Sequence, residues 1–159
     1  MNWEAIGAVG ELVGAAAVFI SLLYLATQIK DSRRSDQIVA SATLSTTIDD
    51  WVRGLVQDKE LCDLYVRGLT EYQLLDKSEK IRFSLLIYQF LRNVEAGWIQ
   101  TNSGVIDKSY WLGVENSIVP VVGSEGGRRA LDKHQHSLGP EFVAVVRDML
   151  GDPSAPSDE

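Results

Sequence analysis

The sequence predicts an all-α protein: an N-terminal single transmembrane helix followed by a helical cytoplasmic domain of about five to six helices. Three observations lead there. Residues Ala5 to Thr27 hold one strongly polar side chain, Glu11. All fifteen Lys and Arg residues lie at or after Lys30. Beyond that point apolar residues recur at helical spacing, and no stretch alternates with period two over strand length. The boundaries that follow are residues 1–30 for the transmembrane helix and 31–151 for the helical domain. Residues 152–159, acidic and rich in Pro and Ser, read as a disordered tail.

The first element is the apolar run itself. At 1.5 Å per residue, Ala5–Thr27 extends roughly 35 Å, enough to cross a hydrocarbon core of about 30 Å with some tilt. A cleaved signal peptide has a basic n-region and a shorter apolar core. Here no Lys or Arg precedes the run, and the bases come after it. A buried core helix is the competing soluble reading, because Glu11 and the glycines dilute the hydrophobicity. Trp3 and Tyr24 suit the two membrane–water interfaces, and Lys30, Arg33 and Arg34 stand just past the C-terminal end. The positive-inside rule then puts the N-terminus outside and the domain in the cytoplasm; in a Gram-negative cell the membrane would be the inner one.

Within the run the small residues are ordered. Gly7, Gly10, Gly14, Ala17 and Ser21 are spaced by three and four, so they line one face of a helix. Gly10–Gly14 is a GxxxG pattern, and small faces let membrane helices approach closely. Glu11 borders this stripe. Three readings of Glu11 stay open: shallow placement at the outer interface, a buried contact between helices, or a pore-lining or proton-titrating role. An acidic group at the bilayer centre costs on the order of 2.5–3.5 kcal/mol, which any of shallow depth, a partner or protonation would reduce.

From Ala15 to Arg53 there is neither Gly nor Pro, so the helix can run on, with "KDSRRSDQ" either helical or a hinge. Ile38, Ala42, Ser45, Ile48, Val52 and Leu55 then mark an amphipathic face, with Leu44 and Trp51 beside it. Asp58 caps a short helix that Gly68 is expected to end. Asp76 and Glu79 form an acidic capping box for the longest helix of the domain, with Ile81, Leu85, Tyr88, Leu91, Val94 and Trp98 as its apolar face. Gly104 suits a left-handed C-cap after it. Asp107 caps the next helix, expected to stop at Pro120. Ser124 to Gly127 reads as a turn leading into a further helix. Pro140 starts the last one and Gly151 closes it.

Chemistry is sparse. A formal charge of -7 and a mixed-sign body argue against nucleic-acid binding, which needs a basic patch to replace phosphate counterions. One cysteine, Cys62, excludes an intrachain disulfide and fits a reducing compartment. No Walker loop, GxGxxG, HExxH, CxxC or GxSxG occurs. "GSEGG" with Arg128 and Arg129 behind it reads as a turn and cap rather than a phosphate cradle. His134 and His136 are two apart, and no further ligand completes a metal site. No catalytic, cofactor-binding or metal-ligating set is therefore assigned. Arg92 and Glu95 are placed either to pair or, through Glu95, to anchor one helix to another.

The run ends in Tyr24-Leu25-Ala26, Gln28-Ile29 and Lys30. Glu95 in the long helix is followed by Gly104, Ile106 and Asp107, then Trp111, then Gly126-Gly127-Arg128. In these features the chain resembles a widespread group of small, uncharacterised bacterial membrane-anchored proteins, although "GRRAL" lacks the aromatic of that group after the basic turn. The resemblance implies a membrane anchor with a helical domain and no particular reaction. The leading expectation is a self-associating scaffold or partner-binding subunit, in contact with membrane lipid, with copies of itself and with an unidentified protein partner. The alternatives are an oligomeric channel or ion- or pH-responsive sensor using Glu11, and a membrane-tethered enzyme with groups such as Glu95, Arg92 and His134 converging in a cleft.

Overall fold

The protein is all-α, and the computed structural model describes residues 3–152. Among the described residues there is no strand. Trp3–Gln57 form one continuous helix, α1. The chain divides into two compact units at Val39/Ala40, so this helix supplies all of the described first unit and begins the second. Neither Gly nor Pro interrupts residues 15–53, and "KDSRRSDQ" is helical.

The second unit contains the rest of α1 and five further helices: α2 (Lys59–Thr70), α3 (Lys77–Asn102), α4 (Lys108–Val122), α5 (Glu125–His134) and α6 (Pro140–Met149). Single 3₁₀ turns at Tyr72–Leu74 and Gln135–Ser137 bridge α2 to α3 and α5 to α6. The starts follow local chemistry. Asp58 accepts from the Leu61 N–H, and Asp76 and Glu79 form the full reciprocal capping box. Asp107 accepts from the Ser109 N–H, Ser124 from the Gly127 N–H, and Pro140 opens α6. Gly104 and Gly151 have φ of 72° and 65°, and each lies just past a helix end.

The core centres on α3. Phe83, Ile87, Leu91 and Val94 are fully covered there, and Ile118, Val122, Leu131, Phe142 and Val146 meet them from α4, α5 and α6. Trp51, in the second-unit part of α1, donates its indole N–H to the Leu86 carbonyl at 3.2 Å and packs on Tyr65 and Phe90. At Gly97 a Cβ would come within 2.8 Å of Leu44, so α1 and α3 meet closely there.

Several expectations need correction. Gly68 does not end α2 but lies inside it, buried, where a Cβ would overlap the Phe83 ring. Pro120 does not stop α4, which continues two residues to Val122. A proline that close to a C-terminus forfeits one intrahelical bond and leaves little helix to disrupt. Gly126 and Gly127 are not a turn. They form the buried first turn of α5, pressed against the Gly68 carbonyl and against Val121 and Val122. The buried face of α1 in the second unit runs through Leu44, Trp51 and Leu55, while Ile38 and Val52 are exposed. On α3, Ile81 and Leu85 are exposed, and Phe83, Leu86, Ile87 and Phe90 take the core instead. α3 is apolar on more than one side near its start, so periodicity alone leaves several registers open.

Candidate functional site

The first unit presents a continuous exposed apolar surface. An 18-residue window within Gly10–Gln57 has mean hydropathy 2.0, and none of it is buried. This is one N-terminal helix long and apolar enough to cross a membrane. Leu12, Phe19, Ile20, Leu22, Leu23 and Leu25 all face outward, with Leu12 74% exposed. Covering a large apolar side chain contributes about 1.5–3 kcal/mol. Ten such side chains between Leu12 and Ile29, each about half to three-quarters exposed, therefore represent on the order of 10–20 kcal/mol, comparable with the whole stability of a typical domain, about 5–15 kcal/mol. A surface of that size marks an interaction with an apolar medium or partner.

The small residues lie on this helix as spaced. Gly7, Gly10, Glu11, Gly14, Ala17 and Ser21 are all exposed, and a Cβ at any of the three glycines would meet nothing within 4 Å. Ser21 turns its hydroxyl back to the Ala17 carbonyl at 2.9 Å, and Thr27 to the Tyr24 carbonyl at 2.7 Å. Both polar groups are thereby satisfied within the helix, as a lipid environment requires. Tyr24 is exposed near the end of the apolar stretch, and Lys30, Arg33 and Arg34 are exposed past it. The side chain of Trp3 lies outside the described residues.

The second unit uses its polar groups structurally. Glu95 is buried on α3. It accepts from the Arg92 guanidinium and from the backbone N–H of Gly139, the residue that caps α6. Both sequence readings of Glu95 hold: it pairs with Arg92, and it fastens the α6 start to α3. His134, the last residue of α5, packs elsewhere against α3. Its Nε2 is 2.8 Å from the Ser84 hydroxyl and its ring stacks on Tyr88 at 4.6 Å. Burial, and then the neighbouring Lys133 charge, hold its pKa below the ordinary histidine value. Ser84 and Arg92 stand eight residues apart on α3, about 12 Å along its axis. Glu95 and His134 thus bind separate partners rather than one another. Local sequence carries no sign of the Ser84–His134 pair, whose members are fifty residues apart.

Other charges close the fold. Arg67 pairs with Glu79 across α2 and α3, and this contact holds the Glu79 carboxyl below its usual range. Arg147 reaches Asp132, Gln135 and Asp152, while Arg128 bonds the Leu150 carbonyl at 3.1 Å and pairs with Asp152. Arg129 pairs with Glu125. The two arginines behind "GSEGG" are therefore engaged, and the glycines in front of them are covered. Among the described residues no group of three His, Cys, Asp or Glu is placed to hold a metal ion. No family model, curated protein or solved structure matches the chain.

Proposed function

We propose that the protein is a membrane-anchored helical scaffold or partner-binding subunit of the bacterial inner membrane that associates with itself through its spanning helix. The observation that carries this reading is the contrast within α1: an apolar segment with no part buried, bearing an open face of small residues. Lipid covers most of that surface. A second helix placed along Gly7, Gly10, Gly14, Ala17 and Ser21 would pack backbone to backbone and take Glu11 out of contact with lipid. The N-terminus is outside and the second unit cytoplasmic, because Lys30, Arg33 and Arg34 follow the span directly. Many polar groups of the helical body are engaged in caps, ion pairs and inter-helix bonds, which suits a rigid platform for a partner.

The test is the oligomeric state of the full chain in native-like lipid, by native mass spectrometry or crosslinking, for the wild type and for Gly10→Leu/Gly14→Leu. A defined oligomer that the leucines disrupt supports the reading. Monomer alone in both proteins removes self-association and leaves only the anchor.

A further inference from the structure

Just beyond the apolar stretch, charge is sorted around α1. At about 100° per residue, Arg33, Gln37, Lys30 and Arg34 fall within an arc of roughly 100°. Ala26 lies in the same arc one turn earlier, with Ile29 at its edge. Together these six side chains line an open groove on the helix. Asp31 and Asp36 each lie about 60° beyond one edge of the arc, and Ser35 stands on the opposite side. The segment has almost balanced charge along the sequence but a one-sided cationic face in three dimensions. Among the described residues, none of Lys30, Arg33 and Arg34 is in an ion pair.

We infer that this face binds the phosphate of anionic phospholipid headgroups in preference to zwitterionic ones. The inference rests on the membrane-anchor reading above and deepens it. The three cations lie within about 6 Å along the axis, close enough to converge on one phosphate. Either guanidinium can hold two phosphate oxygens at once, and the ammonium of Lys30 adds a point charge. Ala26 and Ile29 continue the groove toward the apolar stretch, so a headgroup on the cations has its acyl chains alongside the span. A zwitterionic headgroup would bring its own ammonium to three like charges. Phosphatidylglycerol, whose headgroup carries only hydroxyls beside its phosphate, brings none, and the acids of this segment lie outside the arc. Protein-side basic residues close to an anionic leaflet are each attracted to it by several-fold in binding constant.

The full chain is reconstituted in two bilayers: phosphatidylcholine alone, and phosphatidylcholine with an equal amount of phosphatidylglycerol. Flotation with the first tests the anchor by itself. Native mass spectrometry or lipid extraction of protein released from the second measures retained phosphatidylglycerol against the bulk ratio. The wild type is expected to float in both and to retain phosphatidylglycerol roughly fivefold over bulk at low salt, falling as salt screens the face. Lys30→Gln/Arg33→Gln/Arg34→Gln is expected to float equally well and to lose the enrichment. Flotation without enrichment overturns the headgroup site and leaves the anchor standing. Failure to float overturns the anchor and the site with it. Enrichment that survives the triple substitution also overturns the proposal. So does a triple variant whose only change is loss of an oligomer, which would give the face to a second copy of the chain.

Discussion

The glycines of the first unit and the buried glycines of the second do opposite things. In the first unit Gly7, Gly10 and Gly14 border open space. In the second, Gly68, Gly126 and Gly127 leave no room for a methyl group, because the Phe83 ring and neighbouring backbone occupy it. The same contrast holds for large apolar residues. Leu22 and Leu23 face outward, while Phe83 and Phe142 are wholly covered. A small residue on an apolar helix can therefore mark a contact already made within the chain or a surface left for something else. Which of these applies is decided by whether other helices have closed over it.

The comparison can be broken most directly at Phe83. Phe83→Ala removes a fully buried ring from beneath Gly68 and Gly126 and should cost about 3–5 kcal/mol of unfolding free energy, read by urea titration of the full chain in detergent. A loss below about 1 kcal/mol would mean that the ring is not the keystone between α2, α3 and α5. In the first unit the matching change is Leu22→Arg. It should leave that titration unchanged but oppose membrane insertion by about 3 kcal/mol, seen as a reduced inserted fraction in membrane vesicles. Unaltered insertion would argue that residue 22 lies away from the middle of the span.

Gly126→Ala is the next step down. Its methyl would overlap the Gly68 carbonyl and the Phe83 and Tyr72 rings, and about 1–3 kcal/mol of destabilisation is expected in the same titration. His134 sharpens the comparison through pH. Its pKa is lower in the folded chain than in the unfolded one, so the folded state binds the proton less readily. The stability it contributes is complete above the unfolded value, about 6.5, and is lost as pH falls through the folded value. The melting temperature should decline from pH 7 toward pH 5, and His134→Gln should flatten that slope. Glu79 and Asp107 carry lowered carboxyl pKa values, so their contributions are lost only at more acidic pH and do not obscure it. The smallest effect belongs to Gly10→Leu, expected to shift the unfolding of the helical body by less than about 0.5 kcal/mol. A larger shift would show that the body is not indifferent to the first unit.

Much of this architecture was legible without coordinates. Asp58, Asp76 with Glu79, Asp107 and Pro140 announce helix starts because a cap is made within three residues of itself. Gly104 and Gly151 announce ends because a positive φ is a local demand. The apolar stretch before Lys30 needs only its length and composition to be recognised. The small-residue stripe and the basic residues beyond it follow from helical geometry alone, since a straight helix places i, i+3 and i+4 on one side whatever surrounds it.

What lay beyond the sequence depends on partners far along the chain. Gly68 looks like a helix end and Gly126–Gly127 like a turn, until Phe83 is seen filling the space between them. Ile81 and Leu85 have the same periodicity as the true core face of α3, and only the positions of the neighbouring helices select Phe83, Ile87 and Phe90 instead. Ser84 meets His134, and Glu95 meets the Gly139 N–H, across separations of more than forty residues. Composition and local spacing by themselves determined the helices, most of their caps and the exposed apolar stretch, because those properties arise within a few residues. Tertiary packing alone decided which glycines are covered, which face of each helix is core and which polar groups meet, because close packing joins residues that nothing in the local chain connects.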